Sequence, residues 1–150
     1  PDVGGVKMAN AYSQVLKADL AIVVKKRISP TEVSPLSLVG TVADKNVLLV
    51  DDLTETAGTL VSAADFLKKQ GAKNICACVA HAVLSDLGIA RLRNSCIDEI
   101  ITTDTVYRPV IEGVNITTIS VAGLLAEAIK RIESNLSVSI LFEYDGVRIG

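Results

Sequence analysis

Two adjacent carboxylates stand just ahead of a turn built from small and hydroxyl-bearing residues in the stretch Val50-Asp51-Asp52-Leu53-Thr54-Glu55-Thr56-Ala57-Gly58-Thr59. An apolar run leads into this stretch and a helix-period segment follows it. A buried strand that ends in acids and turns into a helix puts ligands at the carboxyl edge of a sheet, where α/β folds bind them. The turn from Thr56 to Thr59 can aim several backbone N–H groups and two hydroxyls at one point, backed by the positive end of a helix, and a phosphate is the natural occupant. Asp51 and Asp52 suit vicinal sugar hydroxyls as acceptors, or a divalent ion as outer ligands. Phosphate and diol together indicate a sugar phosphate. Either piece alone has a plainer explanation, since a terminal Asp is often just solvated and a Thr often just caps a helix. Neither the Walker pattern nor the dinucleotide fingerprint is present to account for the turn otherwise.

Elements able to position these residues follow from alternating apolar runs and helix-period segments, the pattern of a parallel sheet wrapped by helices. Asp2 to Leu16 reads as a cap and turn followed by a helix, and Leu20 to Val24 as a buried strand that ends abruptly in Lys25-Lys26-Arg27. A loop expected to be mobile runs from there to about Pro35, with Pro30 and Pro35 blocking regular structure. Leu36 to Val42 reads as an edge strand and Val47 to Val50 as the strongest strand, terminating at Asp51-Asp52. A helix with Leu60, Ala63, Ala64 and Leu67 on one face ends at Lys68, Lys69 and Gly71. Strands are expected over Ile75 to His81, Ile97 to Thr102 and Ile116 to Ile119, with a short helix over Leu87 to Arg93. Ser120 is placed to cap a helix whose Val121, Leu124, Leu125, Ala128, Ile129 and Ile132 form an apolar stripe, and Ser137 to Phe142 reads as a late strand.

Composition excludes several classes of function. The chain has 150 residues, 15 Lys and Arg against 17 Asp and Glu, and 3% aromatics, so neither a basic field nor stacking platforms suit it to nucleic acid. No apolar run approaches the roughly 20 residues of a membrane span and the first residues lack signal-peptide character, which points to a cytoplasmic protein. The length suits one domain over residues 1–150, large enough to hold a core without disulfides. Cys76, Cys78 and Cys96 lack zinc-site spacing and read as buried free thiols. The chain opens without Met, in a Gly-containing motif, and is expected to be part of a longer protein.

The stretch from Val50 to Thr59 resembles the phosphoribosyl-diphosphate loop of type I phosphoribosyltransferases and of ribose-phosphate pyrophosphokinases. Four further segments resemble the carboxyl-terminal half of the pyrophosphokinases in the same order: Pro1 to Lys7, Lys25-Lys26-Arg27, Leu125 to Ile132, and Ser137 to Phe142. The resemblance implies an α/β, type I phosphoribosyltransferase-like fold, a mostly parallel sheet flanked by helices. It also implies transfer of the β,γ-diphosphoryl group of ATP to the 1-hydroxyl of ribose 5-phosphate. By the same resemblance Asp51 and Asp52 hold the ribose hydroxyls, and Glu55, Thr56, Ala57, Gly58 and Thr59 cradle the 5-phosphate. Asp2 matches a Mg²⁺-binding Asp, Lys25 and Arg27 match a catalytic pair on a flexible loop, and Ser137, Val138 and Ser139 match a regulatory phosphate or ADP site. The implied assembly is a dimer or hexamer of a two-lobed chain, whose missing N-terminal half supplies the adenine-binding residues. His81 matches a family His without an assigned proton-transfer role.

Departures from the family pattern are Glu55 in place of Asp, Met8 in place of a basic residue, Ser85-Asp86 in place of a Ser-Gly pair, and the stretch from Thr105 to Gly113. Two other functions use the same loop. A type I phosphoribosyltransferase would need a hood segment for a base, and a non-catalytic, synthetase-associated regulatory homologue would have little use for Lys25 and Arg27.

Overall fold

A computed structural model describes residues 5–25, 36–144 and 147–148. Helix α1 spans Gly5–Leu16, and strands β1 (Ile22–Lys25) and β2 (Leu36–Val39) pair antiparallel as a separate ribbon. Strands β3 (Val47–Thr54), β4 (Ile75–Ala82), β5 (Glu99–Thr103) and β6 (Ile116–Ile119) form a four-stranded parallel sheet in that order. Helix α2 (Gly58–Lys69) crosses from β3 to β4 and α3 (Asp86–Arg93) from β4 to β5, and the two helices pack together on one face of the sheet. Helix α4 (Ala122–Glu133), a short 3-10 helix (Ser139–Phe142) and a small ribbon of β7 (Glu143–Tyr144) with β8 (Val147–Arg148) complete the described chain. The expected fold class is therefore the observed one.

Burial follows the period-two geometry of strands. Along β4, Ile75, Ala77 and Val79 are buried while Cys76, Cys78 and Ala80 between them are only half-buried. Ala77 and Val79 meet Leu60, Leu92 and Ile100 in one core cluster beneath the helices. A second cluster of Val42, Ala64, Leu67, Ala72 and Ile75 receives Val23 and Leu38, which docks the β1–β2 ribbon against the start of β3. On the opposite sheet face Tyr12 of α1 approaches Cys78, hydroxyl to Sγ at 3.7 Å. The three cysteines are free but half-buried, not the buried thiols expected. No described helix is long and apolar enough to cross a membrane.

Several elements differ from the sequence reading, each for a physical reason. Strand β3 runs on through Asp51 and Asp52 to Thr54, because pairing with β4 continues to Leu53 opposite His81 and Thr54 opposite Ala82. Helix α4 is capped at Val121 without a side-chain cap. Asp104 Oδ1 accepts the Val121 N–H at 2.9 Å, and Ser120 Oγ accepts only the Ala122 N–H at 3.3 Å. Ser137 to Phe142 is not a strand, since the segment closes on itself with Leu141 N–H donating to Val138 C=O at 3.0 Å. Gly71, at φ +90°, does end the α2 segment in the left-handed conformation that favours glycine.

Candidate functional site

The carboxyl ends of β3 and β4 and the amino end of α2 meet at the turn from Glu55 to Gly58. Each carbonyl on the approach to this turn is taken by the protein behind it. Thr54 C=O accepts the Val83 N–H at 3.0 Å, Glu55 C=O accepts the Ser85 N–H at 3.0 Å, and Thr56 C=O accepts Arg91 Nη1–H at 3.0 Å. Ser85 Oγ also reaches Glu55 C=O, at 3.3 Å, while accepting the Gly88 N–H to cap α3. Helix α3 thus grips the turn through its acceptors.

The donors on the other side of those peptides are left unpaired by protein. Thr56 and Ala57 N–H have no acceptor among the described residues, and α2 has no side-chain cap, so Gly58 and Thr59 N–H at its first positions are free as well. Ala57 makes this possible by adopting φ +53°, ψ +10°, a left-handed conformation uncommon for a residue with a Cβ. The residue is 2% exposed and part of the core cluster, which fixes the strained peptide in place. Four successive N–H groups at a helix amino end, with the Thr56 and Thr59 side chains exposed beside them, form a cradle for an anion.

Asp51 and Asp52 lie in the last half of β3 rather than after it. Asp51 is half-buried and its Oδ1 accepts the Asp52 N–H at 3.0 Å, while exposed Asp52 turns Oδ1 onto the Leu53 N–H at 2.8 Å. Burial pushes the Asp51 carboxyl above its ordinary range, the neighbouring Asp52 charge adds to the rise, and the backbone hydrogen bond from Asp52 opposes it. Asp51 and Thr59 both line a cavity of about 430 Å³ that opens between α1, the ribbon, β3 and α2, with Tyr12, Val50, Ala63 and Leu67 on its apolar wall. An acid from the strand and a hydroxyl from the helix therefore face one volume. Among the described residues no three His, Cys, Asp or Glu side chains gather as a metal cage. Two hard carboxylates without a cage are suited to Mg²⁺, which is commonly held by one or two carboxylates together with substrate phosphates.

The expected site residues are only partly brought together. Asp51, Asp52, Glu55, Thr56, Ala57, Gly58 and Thr59 share one corner of the fold. Lys25 closes β1, with its backbone in register with Leu36. Asp2 and Arg27 lie outside the described residues, as does the loop expected to be mobile. Ser137 and Ser139 flank the start of the 3-10 helix, where Ser139 N–H donates to Ser137 Oγ at 3.2 Å and Ser137 C=O accepts Arg131 Nη1–H at 3.1 Å. His81, opposite Leu53, places Nδ1 at 2.7 Å from Thr105 Oγ1 within a hydroxyl network that includes Thr103.

Ser85, Gly88 and Arg91 shape the turn but carry no function in the sequence reading. Gly88 is decisive, since a Cβ there would stand 2.2 Å from the Glu55 carbonyl oxygen. The only sequence signal for it is a glycine inside a short helix, a position that normally costs about 1 kcal/mol relative to alanine. Gly88→Ala should consequently destabilise the protein by about 1–3 kcal/mol in urea unfolding, the range for an overpacked contact, and weaken anion binding at the turn. A second expectation concerns Asp51. A raised folded-state pKa means that the native protein holds its proton longer than the unfolded chain, so the stability from protonated Asp51 falls as pH rises above the ordinary carboxyl value. Asp51→Asn should raise the thermal midpoint at pH 7, and the gain should shrink towards zero at about pH 3, where both states are largely protonated.

Comparison with known proteins bears directly on this corner. Residues 10–143 match the family described as phosphoribosyl synthetase-associated domain. A ribose-phosphate pyrophosphokinase of Porphyromonas gingivalis is 44% identical over 145 residues, 96% of this chain and 46% of its own length. One of Thermotoga maritima is 44% identical over 142 residues, 95% of this chain and 45% of its own length. The crystal structure of phosphoribosylpyrophosphate synthetase from Mycobacterium smegmatis superposes with a TM-score of 0.76 at 31% identity, covering 88% of this chain and 43% of that one. The chain thus spans about half the length of the curated relatives it matches. A match that runs from α1 to β7 takes in every element around the turn, and the chain belongs to the phosphoribosyl synthetase-associated domain family.

Proposed function

We propose that residues 1–150 are one domain, the ribose 5-phosphate-binding, carboxyl-terminal half of a two-lobed, cytoplasmic ribose-phosphate diphosphokinase that works as a homo-oligomer. The observation that carries this reading is the turn at Thr56 to Thr59, whose N–H groups face away from the protein while Asp51 and Asp52 stand just before it. In this reading the turn holds the 5-phosphate by charge-assisted hydrogen bonds, and the two carboxylates accept from the ribose hydroxyls. The sugar is thereby fixed with its 1-hydroxyl free. Its oxygen attacks the β-phosphorus of ATP as the bond to the α-phosphate oxygen breaks, giving phosphoribosyl diphosphate and AMP. The remaining lobe binds adenine.

Charge accumulates on the migrating group and on the departing AMP, so positioning and cations carry the catalysis. Lys25 and Arg27 are assigned to those phosphates, and Asp2 to Mg²⁺, which when bound neutralises phosphate charge. Lys25 at the end of β1 supports the assignment, because the ribbon that carries its backbone is docked against the core. Glu55, exposed at the start of the turn, reaches one methylene further than the family's Asp and borders the same phosphate. Ser137, Val138 and Ser139 are assigned to a regulatory phosphate or ADP at a subunit interface.

Calorimetry on the 150-residue chain should detect weak ribose 5-phosphate binding, with affinity reduced about 10- to 100-fold by Asp52→Ala or by Thr59→Ala, the range for a lost hydrogen bond to a charged group. This chain alone should not turn over ATP. Joined to the remaining half of the P. gingivalis relative it should form AMP, and Lys25→Ala should lower kcat by about 10²- to 10³-fold with little change in ribose 5-phosphate affinity. Base-dependent release of diphosphate would instead make it a phosphoribosyltransferase. No AMP formation by the joined protein would favour the non-catalytic, regulatory role, and loss of activity in Lys25→Ala would exclude it.

A further inference from the structure

The connection from β5 to β6 runs through the stretch that departs from the family pattern, and it encloses a second cavity of about 340 Å³ against β6. This cavity shares no lining residue with the one beside Asp51 and Thr59. Val106, Val110, Ile111, Val114 and Ile116 give it apolar walls, and the guanidinium of Arg108 is set among them. Arg108 Nη2–H donates to Thr118 Oγ1 at 2.6 Å. Its Nη1 is buried and has no acceptor among the described residues, and the side chain forms no ion pair there.

The acid nearest at hand is committed elsewhere. Asp104 lines the same cavity, but its Oδ1 accepts the Val121 N–H at 2.9 Å. The Ser120 hydroxyl and that N–H hold its carboxyl below the ordinary range, so it stays charged. A second polar group is also unpaired. Thr102 is 1% exposed, its Oγ1 is buried without a partner, and it stands in register with Thr118 on the same face of the sheet. A buried donor without an acceptor forfeits its hydration and gains nothing in return, most of all when it is charged. Two such groups on either side of Thr118 leave an acceptor oxygen as the missing complement.

The surroundings narrow the class of ligand. A guanidinium matches a carboxylate in shape and charge. The Asp104 charge in the same lining disfavours a dianion such as a phosphate monoester, and the apolar walls call for a hydrocarbon body. The volume lies within the range of small-molecule sites. The connection is pinned near its end, where Arg93 Nε–H donates to Glu112 C=O at 2.9 Å, whereas Tyr107 and Val110 between are 91% and 95% exposed. No side-chain packing therefore closes that part of the connection over Nη1.

We propose that the cavity under the β5–β6 connection is a ligand site separate from the turn, and that it takes a small organic monocarboxylate. The carboxylate is received by Arg108 Nη1 beside Thr118, and the apolar body lies against Val106, Val110 and Val114. The proposal does not depend on the ribose reading, because none of these residues belongs to the turn at Thr56 to Thr59.

A titration of the ¹⁵N-labelled 150-residue chain with benzoate tests it. Saturable amide shifts should concentrate in residues 104–118, with a dissociation constant on the order of 1 mM, and leave Thr56 to Thr59 unmoved. Benzamide, of the same shape without the charge, should bind at least about 10-fold more weakly. Arg108→Gln should weaken benzoate by about 10- to 100-fold, the range for a lost hydrogen bond to a charged group. Should that variant not fold, Val110→Glu decides, since it adds a negative charge at an exposed position of the lining and should weaken benzoate about 5-fold. Equal binding of benzamide and benzoate, or unchanged affinity in the folded variant, would overturn the proposal. Shifts confined to Thr56 to Thr59 would place the anion at the turn and overturn it as well. Inorganic phosphate that moves the amides of residues 104–118 at lower concentration than benzoate would overturn the carboxylate assignment.

Discussion

Everything at the proposed ribose corner depends on the contact between Gly88 and the Glu55 carbonyl. That oxygen sits where a side chain at position 88 would begin, and it is held there by the N–H and hydroxyl of Ser85. A peptide has its donor and acceptor on opposite sides, so fixing the C=O groups of Glu55 and Thr56 against α3 obliges the following N–H groups to face the opposite way. Ala57 could not otherwise remain at positive φ. A left-handed alanine costs on the order of 1 kcal/mol, and packing of its methyl beside Leu60 together with the grip of α3 supplies the offset. The anion cradle is therefore a property of two consecutive βαβ units, one of which contributes the turn and the other its anchor.

The same dependence explains what could be read in the residues and what could not. The types of residue from Asp51 to Thr59 already indicate acceptors beside a donor-rich turn, because donor and acceptor capacity is a property of the residue itself. Ser85 and Arg91 act from 30 and 35 positions away, and their reach exists only once α3 lies beneath the turn. Strand β3 outlasts its apolar run for a related reason. Asp51 and Asp52 are poor strand formers, but the ladder to β4 carries the pairing past them. For β6, whose ends at Ile116 and Ile119 fall where its apolar bounds put them, local preference and pairing agree. Ser137 to Phe142 shows the converse, a strand-like alternation without a neighbouring strand, in which the backbone satisfies itself through a 3-10 turn.

Helix α4 separates two kinds of information that amphipathicity is often taken to combine. Its stripe specifies a helix and the side that seeks cover, and both are realised in the structure. The pattern cannot specify what does the covering, because the hydrophobic effect has no direction and rewards any dry surface alike. The sheet carries the same ambiguity. Its α2–α3 face is dry and closely packed, whereas Cys76, Cys78 and Ile101 on the other face remain half-buried under α1. Neither uncovered surface forms part of the turn itself. The turn is completed within β3, α2, β4 and α3, and these keep their shared core whatever lies against α4. The turn with its unpaired N–H groups and the uncovered face of α4 therefore lie in separate parts of the chain, so an anion at the turn and a surface against α4 do not compete.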